Sequence, residues 1–204
     1  AGIGVATGEM ILLVNPDAEL ARGALAALVE AAADADIVAP RILLREAPHH
    51  LDNCGHDLYP DGLNWCRGRG EAAEGRFGRS EDLLLFSGAA VLMRREVLER
   101  IGGFDPDYFA YGEDADLGLR AARAGFRCRY EPRAEVRHAV GGAFGRASLR
   151  KVFLVERNRA RVAVAHLPAD WLVVAPLWTL RRALALAGPA VLGEGFGAAW
   201  SPTQ

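Results

Sequence analysis

Five consecutive apolar residues, Met10 to Val14, run directly into Asn15-Pro16-Asp17. Apolar side chains on both faces predict a strand inside a sheet, and the turn-forming triplet ends it with Asp17 at the carboxyl end. From Ala18 to Ala33 the chain turns to Ala and Leu. Leu20, Leu25, Leu28 and Val29 recur there at helical spacing, which predicts a helix over that span. The run "DIVAPRIL" predicts a second buried strand. Strand, helix, strand in this order predicts an α/β fold, Rossmann-like, with a mostly parallel sheet flanked by helices. In such sheets ligands gather beyond the carboxyl ends of the strands, where Asn15 and Asp17 would lie.

Between His49 and Ser80 the periodicity fades into Gly, Asp and Arg, predicting an irregular excursion, partly hairpin, that covers a site. His49, His50 and His56 are read there as surface residues. "DLLLFSGAAVLM" predicts strand structure interrupted at Ser87-Gly88, and "RREVLERIGGF" a short helix closed by Gly102 and Gly103. After a loop, Asp114 to Ala124 predicts a helix with Leu117, Ala121 and Ala124 on one face. "FRCRYEP" alternates like a half-exposed strand, and Ala134, Val136 and His138 share a face of a further extended run. A helical tail follows, with prolines at 168, 176 and 189 expected to limit helix length.

At 204 residues, about half of them apolar, the chain is long enough to bury a core, which excludes fibrous and disordered classes. Its formal charge of −2 is unevenly spread: residues 146–182 carry +6, leaving an acidic body of −8 with a basic tail. No nucleic-acid partner is expected. The three cysteines, Cys54, Cys66 and Cys128, form no CxxC pair and indicate neither a disulfide framework nor a zinc site. A cytoplasmic setting is the default expectation. The apolar run Trp171 to Leu180 is too short to span a bilayer. Across Leu167 to Leu186, Trp171, Val173, Val174, Leu177 and Trp178 mix with Arg181 and Arg182, which suits a membrane surface at the cytoplasmic face or a helix packed on the domain. The expected division is 1–148 for the main domain and 149–204 for the tail. The chain opens in mid-pattern at Ala1, which reads as a fragment lacking an N-terminal part.

Five carboxylates crowd "GGFDPDYFAYGEDADLGLRAARAGF": Asp105, Asp107, Glu113, Asp114 and Asp116. Like charges this close need water or a counter-charge. Asp105 and Asp107 suit a turn around Pro106. Glu113, Asp114 and Asp116 suit either a solvated helix start or a catalytic cluster, since the helix dipole keeps a carboxylate there ionised and able to take a hydroxyl proton. Asp17 suits a helix cap as well as a metal ligand, and His138 suits plain packing as well as coordination. Together, carboxylates and an imidazole would form a ligand mix for Mg²⁺ or Mn²⁺. Trp65 is read as a loop anchor.

The segments "ILLVNPDAEL", "FSGAAVLMRREVLERIGGFDPDYFAYGEDADLGLRAARAGFRCRYEP", "EVRHAVGG" and "VERNRARV", in this order, resemble the family 2 inverting glycosyltransferases of the GT-A fold, especially the rhamnosyltransferase-like branch. The resemblance runs from Ala1 to about Pro168. It implies the carboxyl-side portion of a GT-A domain, a divalent cation, a nucleotide-diphosphate sugar donor with rhamnose as the family-level sugar, and a saccharide or lipid-linked acceptor in cell-surface polysaccharide synthesis. By the same resemblance Asp114 is the catalytic base, supported by Glu113 and Asp116. Asp17 is the last position of an Asp-x-Asp metal motif, and His138 a further metal ligand. Asn15 replaces the motif's first Asp, which implies weaker metal binding. Ser87, Gly88, Phe104, Phe109, Tyr111 and Trp65 are the expected substrate contacts. The alternative reading is a non-catalytic carbohydrate-binding or interaction remnant, and little activity is expected of the fragment alone. A nucleotidyltransferase would need a phosphate loop in strand-to-helix context, which "GRGEAAEGRFGR" lacks.

Overall fold

The computed structural model describes residues 2–139 and 148–191, and the run "VGGAFGR" after His138 lies outside them. A single helical turn, α1 (Gly2–Val5), precedes β1 (Met10–Val14), β2 (Ala18–Leu20), α2 (Ala24–Ala31), β3 (Ile37–Leu44) and β4 (Ala47–Asn53). The hairpin strands β5 (His56–Leu58) and β6 (Asn64–Cys66) follow, then β7 (Glu81–Leu83), β8 (Ala90–Arg94) and α3 (Arg95–Ile101). A 3₁₀ turn at Pro106–Tyr108 leads to α4 (Glu113–Arg123), the long strand β9 (Cys128–His138), and helices α5 (Leu149–His166) and α6 (Ala169–Val191).

The central sheet has the order β1-β8-β3-β9-β2, with β4 added to β3 and β7 to β9. The expected strand–helix–strand unit is present: β1 and β3 run in the same direction, and β3 pairs with β9 in parallel. The sheet is nevertheless mixed, because β8 is inserted antiparallel between β1 and β3 and the remaining described ladders are also antiparallel. The break at Ser87-Gly88 is what allows this. It separates β7, which pairs with β9, from β8, whose first four residues are buried.

Alternation along the strands divides the core between two faces. Val38 and Leu92 point toward α2 and pack with Ala24, Leu28 and Ala31. Ile37, Ala39, Val91 and Met93 point the other way and pack with Val97 and Leu98 of α3 and with Leu117 and Ala121 of α4. Each fully buried aliphatic side chain of this kind is worth about 1.5–3 kcal/mol.

The predicted helix over Ala18 to Ala33 is corrected. Its first residues form β2, hydrogen-bonded to β9, and the helix starts at Ala24. Edge pairing wins over the Ala-rich propensity there, and the buried stripe is Ala24, Leu28 and Ala31 while Leu25 and Val29 stay exposed. "FRCRYEP" and the extended run after it are one strand, β9, with a register shift between Pro40 and Arg41 of its partner β3. Pro176 does not end α6, which continues through it, and Pro168 stands just before the helix, where a missing N–H costs nothing.

Because β1 and β9 point the same way while β8 and β2 return, one edge of the sheet collects the end of β1, the end of β9 and the entry into β8. Two hydrogen bonds fasten it: Asn15 N–H to the Ala89 carbonyl at 2.9 Å, and Ala139 N–H to the Asp17 carbonyl at 3.0 Å.

Candidate active site

At that edge lies a cleft of about 430 Å³, walled by the sheet edge, the start of α4, the β5–β6 hairpin and α5. Asn15, Asp17, Trp65, Ser87, Gly88, Tyr111, Glu113, Asp114 and His138 all line it, so most of the predicted site residues converge on one space.

The wall formed by the strand ends is built around His138. Its Nε2 is 3.3 Å from Asp17 Oδ1 and its Nδ1 is 2.9 Å from Asp52 Oδ2. The hydrogen bond with Asp52 foremost, and the Asp17 charge besides, raise the imidazole pKa above its ordinary value against the effect of burial. Asp52 is only 2 % exposed, and its other oxygen is 3.2 Å from Arg69 Nη1. A carboxylate on one ring nitrogen, leaving the second nitrogen beside another carboxylate, is the arrangement that orients a metal-binding histidine. The donor set therefore fits a divalent cation, but incompletely. Among the described residues no group of three or more His, Cys, Asp or Glu is placed to hold a metal.

The opposite wall begins at Gly112, which takes φ +85° as the N-cap of α4, a backbone conformation that L side chains rarely adopt. Just before it Phe109 and Tyr111 also take positive φ, 63° and 68°. Asn158 of α5, fully buried, fixes this strained loop: its Nδ2 lies 2.9, 2.8 and 2.6 Å from the carbonyl oxygens of Tyr108, Ala110 and Tyr111. Asp114 emerges into the cleft held from several sides. Gly88 N–H donates to its Oδ2 at 3.0 Å, Ala115 N–H to Oδ1 at 2.8 Å, and Asn64 Nδ2 to Oδ1 at 3.4 Å. Glu113 beside it has one buried oxygen, Oε2, that accepts no hydrogen bond. Burial first, and the Asp114 charge second, push its carboxyl pKa up to about 7.

Three predicted residues stay outside the cleft lining. Asp116 turns toward α5, where its Oδ2 receives Arg120 at 2.7 Å and its Oδ1 meets His166 Nε2 at 2.7 Å. Burial would raise its carboxyl; these hydrogen bonds outweigh that and hold it below the usual carboxylate range. Phe104 packs against the core cluster of α3 and α4, and Phe109 is 64 % exposed with the Arg150 guanidinium 5.3 Å from its ring. Chain spacing cannot tell which way a loop aromatic turns, and these two turn away.

His56 is the opposite correction. Read as a surface residue, it has a side chain only 8 % exposed, on the cleft wall, 3.7 Å from Asp114. Asp52, Asn64, Arg69 and Lys151 are further cleft residues the sequence reading missed. The available signal was the excursion itself, whose hairpin pairs His56 with Cys66 and so brings separated polar residues onto one surface.

The family model described as "Glycosyltransferase like family 2" matches residues 5–165, and so includes both walls of this cleft. The chain belongs to this glycosyltransferase family. An N-acetylglucosaminyl-diphospho-decaprenol L-rhamnosyltransferase of Mycobacterium tuberculosis is 30 % identical over 193 residues, covering 87 % of this chain and 62 % of the relative. The rhamnosyltransferase WbbL of Escherichia coli K12 is 46 % identical over 46 residues, 22 % of this chain and 17 % of the relative. The chain thus spans about six-tenths of the length of the mycobacterial relative. Among solved structures, GalNAc-T7 with UDP, GalNAc and Mn²⁺ superposes with a TM-score of 0.60 at 17 % identity, covering 79 % of this chain and 32 % of that one. The family 2, rhamnosyltransferase-like resemblance and the GT-A architecture read from the motifs are borne out.

Proposed function

We propose that this family 2 protein is a metal-dependent inverting glycosyltransferase that moves a sugar, rhamnose being the expected one, from a nucleotide-diphosphate donor to a saccharide or lipid-linked acceptor. The observation that carries this reading is one cleft holding the Asp17–His138 pair on one wall and Asp114 with Glu113 on the other. Asp17 and His138 would hold a divalent cation. Such a cation offsets the charge that gathers on a departing diphosphate. Asp114 accepts the acceptor hydroxyl proton as that oxygen bonds to the anomeric carbon. The bond from that carbon to the diphosphate breaks on the opposite face, and the nucleoside diphosphate leaves with the electron pair. Inversion follows from the single displacement. Glu113 hydrogen-bonds the acceptor, and Tyr111 and Trp65 offer ring faces to a sugar.

Transfer from nucleotide-rhamnose and other nucleotide sugars, measured with Mn²⁺ or Mg²⁺ and with chelator, tests the reading. Activity that needs the cation and falls sharply in Asp114→Asn supports it. Undiminished turnover in Asp114→Asn refutes the assignment of the base, and binding of acceptor glycan without any turnover favours the non-catalytic alternative.

A membrane surface is the second proposed partner, suggested by the arrangement of α6. This helix turns its polar residues inward: Arg182 pairs with Glu156 at 2.6 and 2.8 Å, and Thr179 reaches Asp61. Outward it presents Val173, Leu177, Leu180 and Leu184, each more than half exposed, with Arg181 beside them. No described helix is long and apolar enough to cross a membrane, so the proposed contact is with the interface. Co-sedimentation with anionic vesicles at low salt, lost in Leu177→Asp/Leu180→Asp, is the expected result; failure to sediment rejects the contact.

A further inference from the structure

The acidic loop gives most of its carboxylates a cation of their own. Arg161 Nη2 lies 3.0 Å from Asp107 and 3.8 Å from Asp105, and Arg120 with His166 serves Asp116. Asp114, the carboxylate that faces the cleft, has no arginine or lysine partner among the described ion pairs; its cationic neighbour is His56, with Nδ1 3.7 Å from Oδ2. At that distance the contact is electrostatic rather than a hydrogen bond. Asn64 Nδ2 donates to Asp114 Oδ1 at 3.4 Å and lies 3.2 Å from His56 Nδ1, a donor-to-donor approach when the ring is charged. On the far side of the ring Cys66 Sγ is 3.8 Å from Nε2. Cys66, His56, Asn64 and Asp114 form one polar line from the hairpin to the helix.

Two backbone features hold this line in place. His56 N–H donates to the Leu85 carbonyl at 3.0 Å, tying the hairpin to the segment just before Ser87-Gly88, and Gly88 N–H grips Asp114 at 3.0 Å. The hairpin thus shares a foundation with the carboxylate it faces.

We propose that His56 is a positioning residue for Asp114: from the β5–β6 hairpin its charged ring supplies the counter-charge that this cleft carboxylate otherwise lacks and holds it turned toward the hairpin. The inference rests on the glycosyl-transfer reading and adds to it a residue on a segment remote in sequence. The surroundings are consistent. Burial disfavours the charged ring, but the Asp114 charge, with Cys66 and Asp52 adding to it, outweighs burial and raises the His56 pKa from 6.5 to about 9. The groups facing the ring are Asp114 and Glu113 from α4, Cys66 and Asn64 from β6, and the charge of Asp52 from β4. The ring is therefore charged at neutral pH and loses its proton only as pH rises through about 9.

Two measurements test the proposal. In the first, the imidazole resonances of the five histidines are titrated by NMR in wild type and in Asp114→Asn. His56 is expected to titrate well above 6.5 in wild type and to fall by at least one pH unit when the Asp114 charge is removed. A His56 titration that ignores Asp114→Asn overturns the pairing. In the second, His56→Gln is compared with wild type over pH 5 to 10. The expected result is kcat lower by roughly tenfold with donor KM within twofold, an acidic limb moved to higher pH, and loss of the alkaline limb near 9. A wild-type profile in His56→Gln, or loss of kcat only in proportion to lost folded protein, overturns the positioning role. Coupled titration in a wild-type protein that transfers no sugar sustains the pair and counts against the glycosyl-transfer reading.

Discussion

Asp114 and Asp116 stand on either side of Ala115 at the start of α4, and both are buried, yet they meet opposite surroundings. Asp114 faces the cleft, where backbone N–H groups and Asn64 hold it and His56 stands 3.7 Å away. Asp116 faces α5, locked between Arg120 and His166 at 2.7 Å each. A carboxylate whose oxygens are both taken at short distance, one by a guanidinium and one by an imidazole, is fastened in place. One held by weaker, longer contacts at the wall of a cavity remains available to a hydroxyl. The helical rotation between positions two apart is enough to separate a reactive group from a structural one.

The sharpest test of this contrast exchanges each carboxylate for its amide. Asp114→Asn is expected to lower kcat on the order of 10³-fold, within the range for loss of a general base, with a loss of stability that is smaller than that of Asp116→Asn and comes mainly from the His56 pairing, about 1.4 kcal/mol for each pH unit by which that ring's titration falls. Asp116→Asn should do the reverse. It strips Arg120 of a buried carboxylate partner and disturbs the hydrogen bond with His166, which costs about 2–3 kcal/mol, below the fully buried range because Arg120 is a quarter exposed. Its kcat per folded molecule should stay within about threefold. Thermal denaturation and steady-state kinetics on both variants make the comparison; equal loss of stability in the two would erase it.

How much of this was legible beforehand depended on whether a residue's role is set locally. Strand β1 and its terminal Asn15-Pro16-Asp17 were readable because an unbroken apolar run followed by turn formers has few alternatives. The beginning of α4 was readable for the same kind of reason, with glycine before a cluster of acids. The Ala18 to Ala33 helix misled because β2 is made by its pairing with β9, more than a hundred positions away, and three residues hold no periodicity of their own. His56 and Asp52 were missed for a related cause. Their places depend on the β5–β6 hairpin and on β4 folding back onto the end of β3, and a histidine in a glycine-rich excursion looks the same whether it faces water or an aspartate. Asn158 gave less signal still, since it sits among arginines on a helix that reads as a basic surface.

Asn158 sharpens the comparison from the α5 side. The helix that fastens Asp116 through His166 also holds the strained backbone at Phe109 and Tyr111, so both faces of α4 depend on it. Asn158→Ala takes their shared donor from the carbonyls of Tyr108, Ala110 and Tyr111, of which the first keeps Arg157 as a donor, and is expected to cost about 1–3 kcal/mol. Unlike Asp116→Asn, it should also lower kcat several-fold, because the loop it releases carries Tyr111 into the cleft. A variant that loses stability but keeps full kcat would show that the loop holds its shape without this side chain.

The smallest expected effect concerns Glu113, which completes the cleft face of α4 and, unlike Asp116, is given no cation among the described ion pairs. With its pKa raised from 4.5 to about 7 by burial and by Asp114, it stays protonated in the folded protein through a window where the unfolded chain would ionise it. The sign follows from linkage. Over that window the folded state binds more protons than the unfolded state, so stability falls as pH rises from about 4.5 and levels off above about 7. Glu113→Gln keeps the shape and removes the charge, so it should leave stability nearly unchanged at pH 4 and raise it above pH 7, by on the order of 1–3 kcal/mol. Chemical denaturation at pH 4, 6 and 8 reads this directly. A gain at pH 8 that is absent at pH 4 marks a buried carboxylate without a counter-charge. A pH-independent difference would mean that Glu113 is as well partnered as Asp116, and the contrast between the two faces would then rest on Asp114 alone.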